Sequence, residues 1–281
     1  MSIIENQTSF FVSTSPELID DNVTVSSDGS RINISLDTPL TFSSGSISTT
    51  VEVQKASIWN SSPNISALLG NNKFYYLIAS VAQPVVTVPD GLYSIKTLNA
   101  EIVRQITNVP NSSTTVTLSG NNSTQKSILT LDNTVQVDFT GANSLKDVLG
   151  FNAAVVPAVP APFVGFTIEG DSVAAFNNTN TFNILSDIVS NGIPINNIGK
   201  NLIANVPITA SVGSLVNYEP YNATHVNANE LRGKSKQNFY VQIADDNGDP
   251  LPQIESWDVL LVFKQRILIS DKKMSMLDLF G

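Results

Sequence analysis

Residues 88–106 read Val-Pro-Asp-Gly-Leu-Tyr-Ser-Ile-Lys-Thr-Leu-Asn-Ala-Glu-Ile-Val-Arg-Gln-Ile. Pro89, Asp90 and Gly91 form a turn signal after the extended run Val85 to Val88. Ser94 reads as an N-cap, because its hydroxyl can accept from a free amide one turn on. Tyr93 and Leu98 have the spacing of a hydrophobic staple. Ile95, Leu98, Ile102 and Ile106 recur at helical spacing, and Thr107 to Pro110 ends the pattern. The stretch predicts one amphipathic helix in a chain whose other segments read mostly as strands. Such a helix suits the closed end of a β-sandwich.

Working outward, Arg31 to Leu36 alternates, with Ile32, Ile34 and Leu36 on one side. Ser48 to Trp59 reads as a long strand whose phase changes near Lys55, the mark of a bulge. Lys73 to Ser80 is an apolar run of strand length. Beyond the helix, Thr114 to Leu118, Ser127 to Leu131 and Val135 to Phe139 read as short strands. Ser144 and Asp147 then have capping-box spacing, with Gly150 as a left-handed stop and Phe151 packing back on Leu145 or Val148. Short capping helices are therefore expected at about 94–107 and 144–149.

Residues 152–162, NAAVVPAVPAP, hold three prolines among small apolar residues and read as a linker near the midpoint. Strand-like segments resume at Phe163 to Glu169, Val173 to Phe176, Phe182 to Val189, Leu202 to Ile208, Ser214 to Tyr218, Phe239 to Ala244 and Trp257 to Ile269. Residues 1–30 are polar and punctuated, an N-terminal arm or a first edge strand. The expected division is an arm at 1–30, β-domains at 31–151 and 163–270 around the linker, and a tail at 271–281.

At 281 residues the chain can bury a sizeable core. It is 14% charged, low for a soluble domain, and carries a formal net charge of −9. That balance argues against sequence-independent nucleic-acid binding, and Arg232, Lys234 and Lys236 are the only basic cluster. No cysteine is present, so disulfides, thiolate metal sites and a cysteine nucleophile are excluded. Neither a signal peptide nor a transmembrane segment is expected. The Asn-X-Ser/Thr sequons follow from the abundance of Asn, Ser and Thr.

The search for chemistry returns little. His225 is the single histidine and sits in a polar stretch. Asp245-Asp-Asn-Gly-Asp-Pro places oxygens at 245, 247 and 249, yet Pro250 stands where a calcium loop needs glycine and Ser256 where it needs a bidentate Glu. Asn247-Gly248 is a hairpin signal by itself. Asp171, Asp187, Glu169 and Glu219 are scattered, and an enzyme would need two acids converging in space. Trp59 and Trp257 fall in strands and read as core rather than as sugar platforms. No catalytic residue, cofactor site or metal site is expected. The carboxyl end differs: after two lysines come Met274, Met276, Leu277, Leu279 and Phe280, an apolar cluster too short to fold alone. Together with Phe10 and Phe11, these are the candidate partner-binding residues.

The order of these motifs resembles a family. Pro89-x-Gly-x-Tyr-Ser into a helix, Leu149-Gly-Phe, Asn183-Ile-Leu-Ser-Asp-Ile-Val, Leu202-Ile-Ala-Asn-Val-Pro-Ile, the Pro220-Tyr221 corner, Phe239 to Gly248 and Trp257 to Phe263 resemble minor capsid and penton jelly-roll proteins. Those belong to large double-stranded DNA viruses, virophages and polinton-like elements, and the resemblance covers roughly residues 30–268. It implies an all-β, jelly-roll β-sandwich fold. The midpoint linker favours two jelly rolls in tandem, whereas long loops on one jelly roll could mimic that pattern. The implied role is structural: a minor capsid protein that cements major capsid subunits or forms the vertex, in the virion, assembled in host cytoplasm. The implied partners are the major capsid protein, other minor capsid proteins and further copies of the chain. The alternative is a carbohydrate- or receptor-binding β-sandwich on a particle surface, which would expose Trp59, Trp257 or some of the tyrosines in a groove.

Overall fold

In a computed structural model of the protein, residues 2–107, 116–176, 179–190, 192–195, 198–251 and 253–269 are described. The chain forms two compact units. One comprises Met1–Ser62 and Thr179–Gly281, and the other, Pro63–Asn178, is inserted between those two stretches. The division therefore does not fall at 152–162, and the units are nested in sequence rather than arranged in tandem.

The first unit opens with β1 (Ser2–Ser13), β2 (Val23–Val25), β3 (Arg31–Thr41) and β4 (Ser46–Trp59). Of the stretch read as an arm or a first edge strand, residues 2–13 are an edge strand of the sheet. It reads as polar because Ile3 to Ser9 are exposed, and only Val12 and Ser13, near its end, are buried.

The inserted unit contains β5 (Lys73–Ile78), β6 (Val81–Ala82), β7 (Val86–Thr87), α1 (Ile95–Thr107), β8 (Val116–Asn121), β9 (Lys126–Leu131), β10 (Val135–Asp138), α2 (Lys146–Leu149), β11 (Val155–Val156) and β12 (Phe166–Glu169). One sheet runs β11-β10-β5-β6 with β7 also on β5, and a second runs β12-β9-β8. Leu98, Ile102 and Ile106 of α1 are buried with Phe74, Tyr76, Leu118 and Leu129. Each such side chain contributes about 1.5–3 kcal/mol by leaving water. The cap is reciprocal: Thr97 N–H donates to Ser94 Oγ at 3.2 Å, and Ser94 N–H donates to Thr97 Oγ1 at 2.9 Å.

The second helix forms by other means than expected. Ser144 Oγ donates to the carbonyl of Phe139, so it does not cap. Asp147 is exposed and pairs with Lys146. Gly150 does adopt the left-handed conformation, at φ 74°, and Phe151 stacks on Phe139 with ring centroids 4.7 Å apart.

The 152–162 stretch is stitched along β10. Val156 lies opposite Val137, and Ala161 N–H donates to Val135 O while its carbonyl accepts from Thr134 N–H. A proline lacks only its own N–H; its carbonyl still accepts, as Pro157 O does from Gln136 Nε2. A proline-rich stretch can therefore pair at intervals along a sheet edge, which is why it mimics a linker.

On return to the first unit come β13 (Thr181–Leu185), β14 (Ile193–Ile195), β15 (Ile198–Pro207), β16 (Leu215–Tyr218), β17 (Val226–Asn227), β18 (Ser235–Ala244) and β19 (Trp257–Ile269). One sheet is ordered β1-β19-β4-β16, with β17 also on β4, and the other β14-β15-β13-β18-β3-β2. All these pairings are antiparallel. The two four-strand orders β1-β19-β4-β16 and β15-β13-β18-β3 make a jelly roll, two sheets joined by strands that alternate between them. The inserted unit leaves between the third and fourth strands of that roll, β4 and β13. The core joins Val12, Ile58, Val259 and Phe263 of one sheet to Ile32, Phe182, Val241 and Ile243 of the other. Between β4 and β19 the register shifts so that Leu260 faces Lys55 and Leu261 faces Val53, which is the expected phase change.

Candidate functional site

The groups that could carry chemistry are engaged locally. Asp246 accepts from the N–H and side-chain amide of Asn180 and from the N–H and hydroxyl of Thr181. Burial works to raise its carboxyl, but the hydrogen bonds, led by the Thr181 hydroxyl, hold it below its ordinary value. Asp245 Oδ1 accepts from the N–H groups of Asn247 and Asp249, and Asp245 N–H donates to Asp249 O, so this turn is closed from within. Among the described residues, no group of three or more His, Asp or Glu is placed to hold a metal ion.

Three of the scattered acids, Glu169, Asp171 and Asp187, are each bound to groups of their own unit. Glu169 accepts from Thr124 Oγ1 at 2.6 Å and Asn121 Nδ2 at 2.8 Å, bonds that lower its carboxyl in that order. Asp171 accepts from Asn152 N–H at 2.8 Å. Asp187 accepts from Tyr240 N–H at 2.8 Å and pairs with Lys236 at 3.1 Å. Asp28 is lowered too: burial raises it, but bonds from Ser26 and Ser30 outweigh that. Every described carboxyl with a resolved shift, including Glu101 beside Arg104, moves down, whereas a general acid needs one moved up.

Trp257 is 1% exposed, and its indole N–H is bonded to Gly29 O, so it cannot serve as a sugar platform. Trp59 is partly exposed at the end of β4.

Sequence reasoning missed one cluster, on the outer face of the β1-β19-β4-β16 sheet. Glu52, whose side chain is only 5% exposed, takes Lys264 Nζ at 2.9 Å and His225 Nδ1 at 2.6 Å. Glu52 lies opposite Val262, and Lys264 opposite Thr50, the next outward position. The signal was present: Glu52 interrupts the apolar Val51–Val53 run, where a strand-borne acid must face away from the core.

Farther along the same face, Phe11, Lys55, Ser57, Asp258 and Leu260 line a groove of about 260 Å³. Of the two strand phenylalanines proposed as contacts, Phe11 is 57% exposed here. Phe10 points to the inner face, partly buried against the core, and meets Phe239 edge-to-face at 5.4 Å. Met274, Met276, Leu277, Leu279 and Phe280 lie outside the described residues. No described helix is long and apolar enough to cross a membrane.

The fold defines an all-β protein built on a jelly roll, with Ile3, Ile4 and Phe11 of strand β1 among its exposed apolar residues. No family model and no curated protein matches the chain. Among solved structures it is similar to the selenomethionine-labelled mavirus penton protein, at 10% identity and a TM-score of 0.46, over 93% of this chain and 100% of that one.

Proposed function

We propose that the protein is a structural subunit of a virion, a minor capsid protein of an icosahedral double-stranded DNA virus, and not an enzyme. The observation that carries the reading is the strand order β1-β19-β4-β16 over β15-β13-β18-β3, a jelly roll of the kind from which capsid shells are built. Fold alone does not give function. The reading is strengthened by the ordered motifs quoted above and by carboxylates that serve the fold rather than a reaction. In this role the protein cements major capsid subunits or forms the vertex. Its partners are the major capsid protein, other minor capsid proteins and further copies of itself. Phe11 and the cluster from Met274 to Phe280 are the contacting residues.

The test is size-exclusion chromatography with light scattering, on the protein alone and mixed with the major capsid protein of the same source. A co-eluting complex is expected, lost on deletion of 271–281 while the circular dichroism melt stays unchanged. A strict monomer that ignores the capsid protein would overturn the role. A truncated protein that unfolds would assign the tail to the core instead.

A further inference from the structure

Strand β1 is an edge. Its 12 residues, Ser2 to Ser13, pair without a register break along β19, and no described strand occupies its other side. Long regular edges are commonly protected by a bulge, a proline, a lysine or a cover, because their free N–H and C=O groups template further pairing. Among the described residues β1 has none of these. Its single charged residue, Glu5, is neutralised by Arg266 of the adjacent strand at 3.1 Å.

Within the strand, Ser-Ile-Ile-Glu-Asn-Gln-Thr-Ser-Phe-Phe-Val-Ser, residues 3–11 are palindromic in polarity about Gln7, and the match ends where Ser2 would face Val12. Turned end for end on itself, Ile3 faces Phe11, Ile4 faces Phe10, Glu5 faces Ser9 and Asn6 faces Thr8. Every pair keeps the same parity, so the outward face stays outward and the inward face inward. Ile3 and Phe11 are 59% and 57% exposed on the outer face. No like charges meet, because Glu5 faces a serine.

We propose that β1 is the surface by which two copies of this chain pair, antiparallel and edge to edge, about a two-fold axis at Gln7. Such an interface is isologous: one patch meets itself, backbone hydrogen bonds supply the contact, and the alternating side chains fix the register. On the outer face, Ile3 of one copy covers Phe11 of the other beside the groove at Leu260 and Asp258. On the inner face, Ile4 of one copy extends the apolar edge begun by Phe10 of the other. The pairing requires nothing of a capsid and would hold in a protein of any role.

The absence of cysteine makes the test direct. Gln7→Cys puts two thiols opposite each other at a distance a disulfide spans. Mild oxidation of micromolar protein should cross-link it on the order of a hundredfold faster than Leu18→Cys, since a bound pair holds its thiols at an effective concentration in the millimolar range. Register is read separately. A mixture of Asn6→Cys and Thr8→Cys proteins should cross-link, while each alone should not, because like positions lie about 8 Å apart across the axis. Light scattering of the wild-type chain should show a monomer–dimer equilibrium. Cross-linking of Gln7→Cys no faster than Leu18→Cys, or failure of the 6/8 mixture when Gln7→Cys succeeds, overturns the proposed pairing.

Discussion

The indole Nε1 of Trp257 donates to the carbonyl oxygen of Gly29 at 2.8 Å, joining residues 228 positions apart. The same residue exchanges backbone bonds with Thr14, whose N–H donates to Trp257 O and whose hydroxyl accepts from Trp257 N–H. Gly29 has φ 73°, and a Cβ there would sit 2.4 Å from the carbonyl oxygen of Ile254. One end of the jelly roll is thus fastened by a buried side chain to a turn that only glycine fits. Trp257→Phe should cost about 2–3 kcal/mol, from a partly buried carbonyl left without its donor and a small cavity. Gly29→Ala should cost at least as much. Urea midpoints measure both, and an unchanged midpoint for Gly29→Ala would show that the turn relaxes freely.

The Glu52 cluster makes a second prediction. Its carboxylate is almost fully covered, so it depends on Lys264 and His225 for compensation. Lys264→Met should destabilise by about 2–4 kcal/mol, because a buried charge loses its stronger partner. Arg266→Met, which removes the exposed Glu5 pair, should cost at most about 1 kcal/mol. Adding Glu52→Gln to Lys264→Met should recover much of the loss. A double variant no more stable than Lys264→Met would mean that the lysine acts by packing and not by charge.

Much of this architecture was legible in sequence, and the exceptions share a cause. The helix at 95–107 was readable because its cap, staple and stripe are all local, and Lys55 marked the bulge in β4 because a period-2 pattern records each slip. Strand β1 stayed one of two readings, arm or first edge strand, because its residues 3–9 are exposed and its alternation shows only at Phe10 to Val12. The nested boundary was hidden because domain membership depends on long-range pairing. Val156 opposite Val137 and Ala161 against Val135 bind the proline stretch to one unit, and no local pattern reports that. Glu52 was visible as a residue but not as a site, since its partners lie in a strand and a loop far along the chain.

Nesting is itself testable. Asn60 bonds to Ser214 and Gly213 through its backbone, and Asn180 O accepts from Ile208 N–H, so both ends of the insertion are tied to one short segment of the jelly roll. Replacing 63–178 by a short Gly/Ser linker should leave a protein that melts cooperatively with a β-type circular dichroism spectrum. A non-cooperative melt with strong dye binding would show that the jelly roll cannot fold without its insertion.

The turn at 245–249 supplies the last prediction, and its sign follows from Asp246. This carboxyl is held below its ordinary 3.8 by bonds that fasten the start of β13, chiefly from the Thr181 hydroxyl, against the opposing effect of burial. The unfolded chain therefore takes up a proton at a higher pH than the folded one. The stabilisation is complete above the unfolded value and fades as pH falls through the lower, folded one. Asp246→Asn removes that contribution at neutral pH and has nothing further to lose in acid. The gap between wild-type and Asp246→Asn urea midpoints should be widest at neutral pH and narrow steadily below about pH 4. Taking the difference cancels the titration of every other carboxyl, including Asp28, whose shift has the same direction. A gap that stays constant into strong acid would mean that the Asn180 and Thr181 bonds do not depend on the charge of Asp246.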